Sequence, residues 1–157
     1  MESLVPILER TEFFTGCLPR HLDILAACAR PVHFDSGGVL ARAGDRADTF
    51  WLVQSGRIAL GFIQPGRGEL IVATLSEGEV AGFSWLFAPH ESRFDIMAVT
   101  AVDALCFDGR VLLETCGTDP EFGFQLVSRF TRVIADRVDA MSLQLLDVYG
   151  QHPIEHE

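Results

Sequence analysis

The chain of 157 residues has little positive charge. Twelve Lys and Arg residues stand against 22 Asp and Glu residues, which gives a net charge of -10. Such an excess of negative charge repels the phosphates of DNA, RNA and anionic lipids at long range. We therefore expect no direct contact with nucleic acid, and any anion that the protein binds has to be held by local geometry.

The chain also lacks the clustered residues that metal sites and common catalytic sites require. Its five histidines show no ligand spacing, and its four cysteines form no Cys-x-x-Cys pair. No Ser/His/Asp order, pair of carboxylates or Walker-type loop is present. We predict no metal site and expect that the protein is not an enzyme.

Nothing in the sequence resembles a targeting or membrane segment. The first four residues have no basic stretch followed by a long apolar run. No uncharged segment approaches the roughly 20 residues of a membrane-spanning helix. We predict a cytoplasmic protein without membrane contact. No Pro/Gly/Ser-rich linker divides the chain, so a single domain over residues 1–157 is expected.

The middle of the chain, residues 31–108, consists of short apolar runs separated by glycine turns. These turns include Gly44-Asp45, Ser55-Gly56 and Pro65-Gly66-Arg67-Gly68. Short strands broken at such close spacing indicate a β-jelly-roll. Residues 1–30 predict short N-terminal helices, because apolar residues there recur on one face. The expected fold class is mainly β with flanking helices.

Residues 109–149 predict C-terminal helices, of which the last is long. Asp119 is a candidate N-cap with Pro120 at the first helical position, and Gly123 is the one glycine or proline between Pro120 and Gly150. Apolar residues recur at intervals of three and four: Val127, Phe130, Ile134, Val138, Met141, Leu145 and Val148. This seam predicts a homodimer through the helix 120–148, the alternative being a helix folded back on its own domain.

The segment from Gly78 to Arg93 carries the candidate ligand site. A glycine turn opening a very short helix, with an arginine close behind, can hold an anion by backbone N–H groups and one cation. The candidate ligand-binding residues are Gly82, Phe83, Ser84, Trp85, Leu86, Ser92 and Arg93.

From Phe13 to Val148 the order of elements and residues resembles the cyclic-nucleotide-binding domain superfamily. The likeness rests on the opening helices, on Ala43-Gly44-Asp45, on the run from Phe50 to Ile58, and on Gly78-Glu79-Val80-Ala81-Gly82. It implies a jelly-roll sensor domain without catalytic activity. Its implied ligand is a cyclic nucleotide or a related anionic or aromatic small molecule.

The resemblance also implies two departures in the phosphate-binding cassette. In the family a glutamate follows the cassette glycine and accepts hydrogen bonds from ribose, but here Phe83 follows Gly82. The family's arginine, which meets the phosphate, falls on Arg93 when counted forward from Gly82 and on Ser92 when counted back from the next strand. Neighbouring strand residues face opposite sides, so this one-residue choice decides whether a cation enters the pocket. We predict that Arg93 lines the pocket mouth.

Two further features bear on the ligand. Arg93 and Asp95 are two apart in extended chain and could pair, which would leave the arginine less available to a phosphate. Phe83 and Trp85 could either stack on a flat ligand or fill the space that it would occupy. Together these features argue against ordinary binding of cAMP or cGMP.

Three classes of function follow from this reading. The first is a ligand sensor that signals through the long helix to a protein partner of unknown identity. The second is a ligand-free interaction module with a filled pocket. The third is the sensor half of a transcription regulator, but a helix-turn-helix does not fit in the few residues after Val148.

Overall fold

The computed structural model describes residues 3–64 and 68–151, in which two antiparallel sheets of four strands each are flanked by helices. This arrangement confirms the predicted jelly-roll with short N-terminal helices and a long C-terminal helix. The helices are α1 (Val5–Glu9), α2 (Pro19–Ala27), α3 (Gly109–Thr118) and α4 (Pro120–Gln151). The strands are β1 (Ala29–Phe34), β2 (Val39–Ala41), β3 (Thr49–Ser55), β4 (Ile58–Gln64), β5 (Gly68–Leu75), β6 (Val80–Ala81), β7 (Asp95–Ala98) and β8 (Val102–Asp108).

The strand order shows how the chain crosses repeatedly between the two sheets. One sheet has the order β1-β8-β3-β6 and the other the order β2-β7-β4-β5. β3 pairs with β8 and β6 on its two sides, so the short strand that leads into the cassette is joined to the centre of its sheet. The turn predicted at residues 65–67 lies outside the described residues.

The predicted glycine turns have the backbone that they require, and Gly56 shows it most sharply. Its φ of 89° lies in the left-handed region, which residues with a Cβ avoid. A Cβ there would lie 2.2 Å from the carbonyl oxygen of Ala101. The turn between β3 and β4 therefore needs glycine both for its backbone angle and for space.

The two C-terminal helices begin at aspartate caps. The Asp108 carboxylate accepts hydrogen bonds from the backbone amides of Arg110 and Val111 at the start of α3. The Asp119 carboxylate accepts one from the Phe122 amide at 3.1 Å, and α4 begins at Pro120 as the sequence predicts. Each carboxylate satisfies N–H groups that have no partner inside the helix.

α4 has two different faces along its 32 residues. One face packs on the domain itself and includes Phe122, Leu126 and Phe130, all buried. The other face is exposed and apolar, and we call it the exposed stripe: Phe124, Val127, Val138, Met141, Leu145 and Val148. The predicted seam is corrected at Phe130, which is fully buried in the core of its own domain.

An aromatic cluster joins α4 to the sheet and to the cassette. The ring of Phe50 on β3 stacks on Phe107 of β8 at 4.3 Å and on Trp85 of the cassette at 5.3 Å. The ring of Phe130 meets Phe50 at 4.9 Å and Trp85 at 5.2 Å, edge to face in both cases. These four rings connect three parts of the fold, and we call them the aromatic cluster.

Among the helices that the structure describes, none has the length together with the apolar character needed to cross a membrane.

Replacing Phe130 tests the packing of α4 on its own domain. Phe130→Ala should lower the free energy of unfolding by about 3–5 kcal/mol, because it leaves a ring-sized cavity in the core. Leu143→Ala, on the exposed side of the same helix, is the matched control and should change it by less than about 0.5 kcal/mol. Urea unfolding measures both, and similar effects of the two variants would contradict this packing.

Candidate functional site

The cassette begins where β6 ends, at Gly82. Its φ of 95° turns the chain, and a Cβ would approach the carbonyl oxygen of Thr49 to 3.2 Å. A single 3-10 turn, Ser84–Leu86, follows, so the very short helix expected from the sequence is present. The amide of Leu86 donates to the carbonyl of Phe83 at 3.1 Å, which closes this turn.

Backbone hydrogen bonds hold the end of the cassette against the loop before β3. The amide of Gly44 donates to the carbonyl of Ser92 at 2.8 Å, and the amide of Ser92 donates to the carbonyl of Asp45 at 2.7 Å. The amide of Ala47 donates to the carbonyl of His90, also at 2.7 Å. The backbone at Ser92 is therefore fixed on both sides of its side chain.

A cavity of about 170 Å³ lies between the cassette and the strands, and we call it the cassette cavity. Three of the predicted residues line it, namely Gly82, Ser84 and Ser92. Pockets for drug-sized ligands usually measure about 300–1,000 Å³. The cassette cavity is therefore small for a nucleotide.

Arg93 lies outside the cassette cavity, so the prediction that it lines the pocket mouth is corrected. Its side chain is exposed, and its guanidinium carbon is 5.3 Å from the centre of the Phe87 ring. Ser92 lines the cavity instead, because neighbouring residues of extended chain face opposite sides. The Ser92 hydroxyl donates to the carbonyl of Phe94 at 2.7 Å. The side chain that borders the cavity at this point is therefore a neutral hydroxyl.

The expected pairing of Arg93 with Asp95 is wrong. Asp95 is buried, and its carboxylate accepts hydrogen bonds from the amides of Ala43 at 2.8 Å and Ile63 at 2.7 Å. No ion pair of Arg93 occurs within residues 3–64 and 68–151. Asp95 serves instead to tie the loop after β2 to β4, since a buried carboxylate needs donors close by.

The other three predicted residues belong to the protein interior. Trp85 is 1% exposed within the aromatic cluster. Phe83 is also buried and contacts the rings of Phe87 and Phe94, with centroids 6.2 Å away in both cases. Leu86 is half-buried and packs against the core. None of the three lines the cassette cavity.

The charged lining of the cassette cavity disfavours an anion. Asp45 and Asp48 line it together with one cation, Arg46. Arg46 is mostly exposed, and its Nε is 3.9 Å from the Asp48 carboxylate. Two carboxylates therefore oppose a single arginine that already faces one of them, and a bound phosphate would be repelled.

Sequence reasoning missed several residues of the cavity wall. Asp45 had been used only as a marker of the fold, although the loop Ala43-Gly44-Asp45 brings it to the cassette. Trp51 is buried on β3 and also lines the cavity. In the sequence, only the family pattern pointed to Asp45 and Trp51, because each of them contacts residues that are far away along the chain.

The remaining reactive residues show no catalytic arrangement in the described part of the chain. Within it, no group of three or more His, Cys, Asp or Glu side chains could hold a metal ion. Burial raises the pKa of the four cysteine thiols, which keeps them protonated at neutral pH: Cys17, Cys28, Cys106 and Cys116.

A jelly-roll with a glycine-led cassette and a long helix after it defines a regulatory sensor type of domain. Residues 31–119 match the family model for "Cyclic nucleotide-binding domain", and the chain belongs to this family.

Similar proteins place the same domain within longer chains. The chain is 41% identical over 75 residues to "Acetyltransferase Pat" of Mycolicibacterium smegmatis. The aligned segment covers 48% of this chain and 22% of that protein. It is 25% identical over 142 residues to the "CRP-like cAMP-activated global transcriptional regulator" of Mycobacterium tuberculosis, covering 90% of this chain and 62% of that protein. The chain thus spans less than two thirds of these relatives.

A solved structure agrees with this fold. A crystal structure of a cyclic nucleotide-binding protein from Geobacter metallireducens has a TM-score of 0.77 at 20% identity. The likeness covers 88% of this chain and 99% of that one. At this identity the similarity concerns the fold.

Two substitutions test the placement of Arg93 and Asp95. Arg93→Ala should change the free energy of unfolding by less than about 0.5 kcal/mol, although an exposed cation–π contact is lost. Asp95→Asn should lower it by about 1–3 kcal/mol, because one of the two amides that donate to the buried carboxylate would then face an NH₂ group. Chemical unfolding of both variants measures this. A large and equal loss in the two variants would indicate an Arg93–Asp95 pair.

Proposed function

We propose that this chain is a non-catalytic regulatory domain of the cyclic-nucleotide-binding type whose altered cassette does not hold cAMP or cGMP in the family's usual way. The observation that carries the proposal is the position of Ser92. Its hydroxyl borders the cassette cavity, while Arg93 lies against Phe87 on the outside. A phosphate in the cavity would meet Arg46, which already faces the Asp48 carboxylate, and would not meet Arg93.

Two other features of the cavity support the same proposal. Its carboxylates, Asp45 and Asp48, repel a phosphate, and Phe83 cannot accept the hydrogen bond of a ribose hydroxyl. A buried ribose hydroxyl without a partner costs about 1–3 kcal/mol. Any ligand of the cassette cavity is therefore small and not strongly anionic.

A filled, ligand-free cassette is the second candidate. It is favoured by Phe83 and Trp85, whose rings occupy the protein interior and leave a cavity of about 170 Å³. In that case the domain acts by dimerising or by docking on another protein. The two candidates differ in whether a small molecule raises the melting temperature.

We further propose that the domain signals as a homodimer through α4. The exposed stripe supports this, because its six residues lie at positions of a single heptad pattern. Phe124 and Val127 start the pattern, and Val138, Met141, Leu145 and Val148 continue it at spacings of three and four. Phe124 is 71% exposed, and a facing helix would remove this apolar surface from water.

The longer relatives indicate how such a domain could act. In them a comparable segment is joined to further sequence, since this chain spans 22% and 62% of their lengths. We propose that the output of this domain is likewise exerted on a protein partner or an attached domain, through the geometry of α4. The partner carries the activity, and the present domain regulates it.

Thermal melting with cyclic nucleotides tests the altered cassette. cAMP and cGMP should leave the melting temperature of the protein unchanged, because Arg93 lies outside the cassette cavity and Arg46 faces the Asp48 carboxylate. Ser92→Arg should gain a cAMP-dependent rise, since it restores a guanidinium at the cavity wall; occupancy at a hundred times Kd stabilises a fold by about 2.7 kcal/mol. Arg93→Ala is the matched control and should behave like the natural chain. A cAMP response of the natural chain that is lost in Arg93→Ala would overturn the proposal.

Charge placed on the exposed stripe tests the dimer. Sedimentation at micromolar concentration should find the natural chain dimeric and Met141→Glu monomeric, because the glutamate would be buried unpaired against the partner helix. Leu143→Glu, on the same helix but outside the stripe, should stay dimeric. A monomeric natural chain would refute signalling through an α4 dimer.

A further inference from the structure

A second groove, larger than the cassette cavity, lies beside β6. It measures about 820 Å³ and runs between α4, the residues around Phe13, and the turn Gly78–Val80; we call it the arginine groove. None of its lining residues lines the cassette cavity. It is therefore a separate site, independent of the function proposed for the cassette.

Three arginines of α4 line this groove: Arg129, Arg132 and Arg137. Arg129, Val133 and Arg137 form one row at intervals of four, so their side chains lie on the same helix face. Eight residues of helix separate the first and last by about 12 Å along the axis. Long guanidinium side chains at both ends of the row can approach a molecule lying between them.

Arg137 is buried without adequate partners. It is 9% exposed, yet its one hydrogen bond is a long one of 3.3 Å from Nη2 to the carbonyl of Val80. Its Nε has no acceptor, and no carboxylate within the described part of the chain lies within 4.0 Å of it. A guanidinium carries five N–H donors, and the Nε–H of Arg137 is buried with no acceptor.

Burial disfavours the charged form of the Arg137 guanidinium. Burial lowers the pKa of its guanidinium, while the more distant charges of Glu79 and Asp136 act in the opposite direction. Removing a charged group from water costs free energy unless close partners compensate it. Arg129 is also incompletely hydrogen-bonded. Its Nη1 donates to the carbonyl of Phe13 at 2.7 Å, but its Nε is buried and has no acceptor.

We propose that the arginine groove binds a small oxyanion, the phosphate or carboxylate group of a small molecule, on the guanidinium of Arg137. Such a group accepts two parallel hydrogen bonds from an arginine fork, which supplies the missing partners. Arg132, which is exposed on the same wall, adds a second cation. A bound oxyanion would convert an unpaired buried charge into a paired one.

The acidic residues of the groove limit the size and charge of this ligand. Glu12, Glu79 and Asp136 line it as well, so cations and carboxylates are equal in number. Glu79 accepts from the amide of Ser76 at 3.2 Å and is held in its turn. With this lining, and a net charge of -10 on the chain, a polyanion such as nucleic acid is repelled, whereas one small oxyanion is accommodated.

The position of the groove gives such binding a consequence for the cassette. Val80, whose carbonyl meets Arg137, is in β6, two residues before Gly82. An oxyanion on Arg137 would therefore act where α4 touches the strand that enters the cassette. We infer that the groove is a second effector site, through which a small anion changes the contact between α4 and the jelly-roll.

Titration with inorganic phosphate and with acetate, at ionic strength held constant with chloride, tests the groove. Either oxyanion should raise the melting temperature of the natural chain relative to chloride alone. Arg137→Gln should weaken the response at least about tenfold, because a charge-assisted hydrogen bond is lost. Arg57→Gln, at an exposed arginine of the β3–β4 turn outside the groove, is the matched control and should respond like the natural chain.

The pattern of responses identifies the ligand class. A response to phosphate alone indicates a phosphate-bearing molecule, and a response to acetate alone indicates a carboxylate; both support the site. Absence of any response, or an equal response in Arg137→Gln, overturns it.

A second measurement does not depend on the folding of a variant. The side-chain Nε–H resonance of Arg137 in the ¹⁵N-labelled natural chain should shift on addition of the active oxyanion and saturate with it. A resonance that does not move would also overturn the proposal. Neither outcome depends on the cAMP response of Ser92→Arg, so the two proposals fail separately.

Discussion

The packing of Trp85 against Phe50 and Phe130 is the contact on which the rest of this structure depends. It joins the cassette to the central strand of one sheet and to α4 at ring distances of 5.3 and 5.2 Å. Phe107 extends the stack across to the neighbouring strand at 4.3 Å from Phe50. Aromatic pairs of this kind contribute about 0.5–1.5 kcal/mol beyond the area that they bury. Because one indole ring contacts both partners, we expect a displacement of the cassette to disturb the packing of α4.

That link explains why the small cassette cavity matters for function. With Trp85 and Phe83 inside the protein, the cassette is held by packing as well as by the backbone hydrogen bonds around Ser92. We propose that regulation of this domain acts through the contacts of α4, whose inner face packs on the core and whose exposed stripe is open to a partner. The arginine groove lies at this same contact, on the side of Val80.

The fold was largely predictable, because strand runs, glycine turns and the Asp119 cap are local signals. The placement of single side chains was less so. Arg93 and Ser92 are adjacent, and only the register of β7 decides which of them turns inward. Phe130 fits a dimer seam by spacing, but α4 lies so that this position meets Phe50. Asp95 had an arginine two residues away, yet the amides of Ala43, in the loop after β2, and of Ile63, in β4, hold it. Such cross-chain contacts leave no pattern in a single sequence.

A crystal structure of the natural chain grown with millimolar cAMP is the most direct test of the account. We expect a cassette cavity without nucleotide and two copies joined along the exposed stripe of α4. The Ser92 hydroxyl should still donate its hydrogen bond to the carbonyl of Phe94. A nucleotide with its phosphate between Gly82 and Ser92, with Arg93 turned toward it, would contradict the claim that this cassette has lost the family's phosphate site.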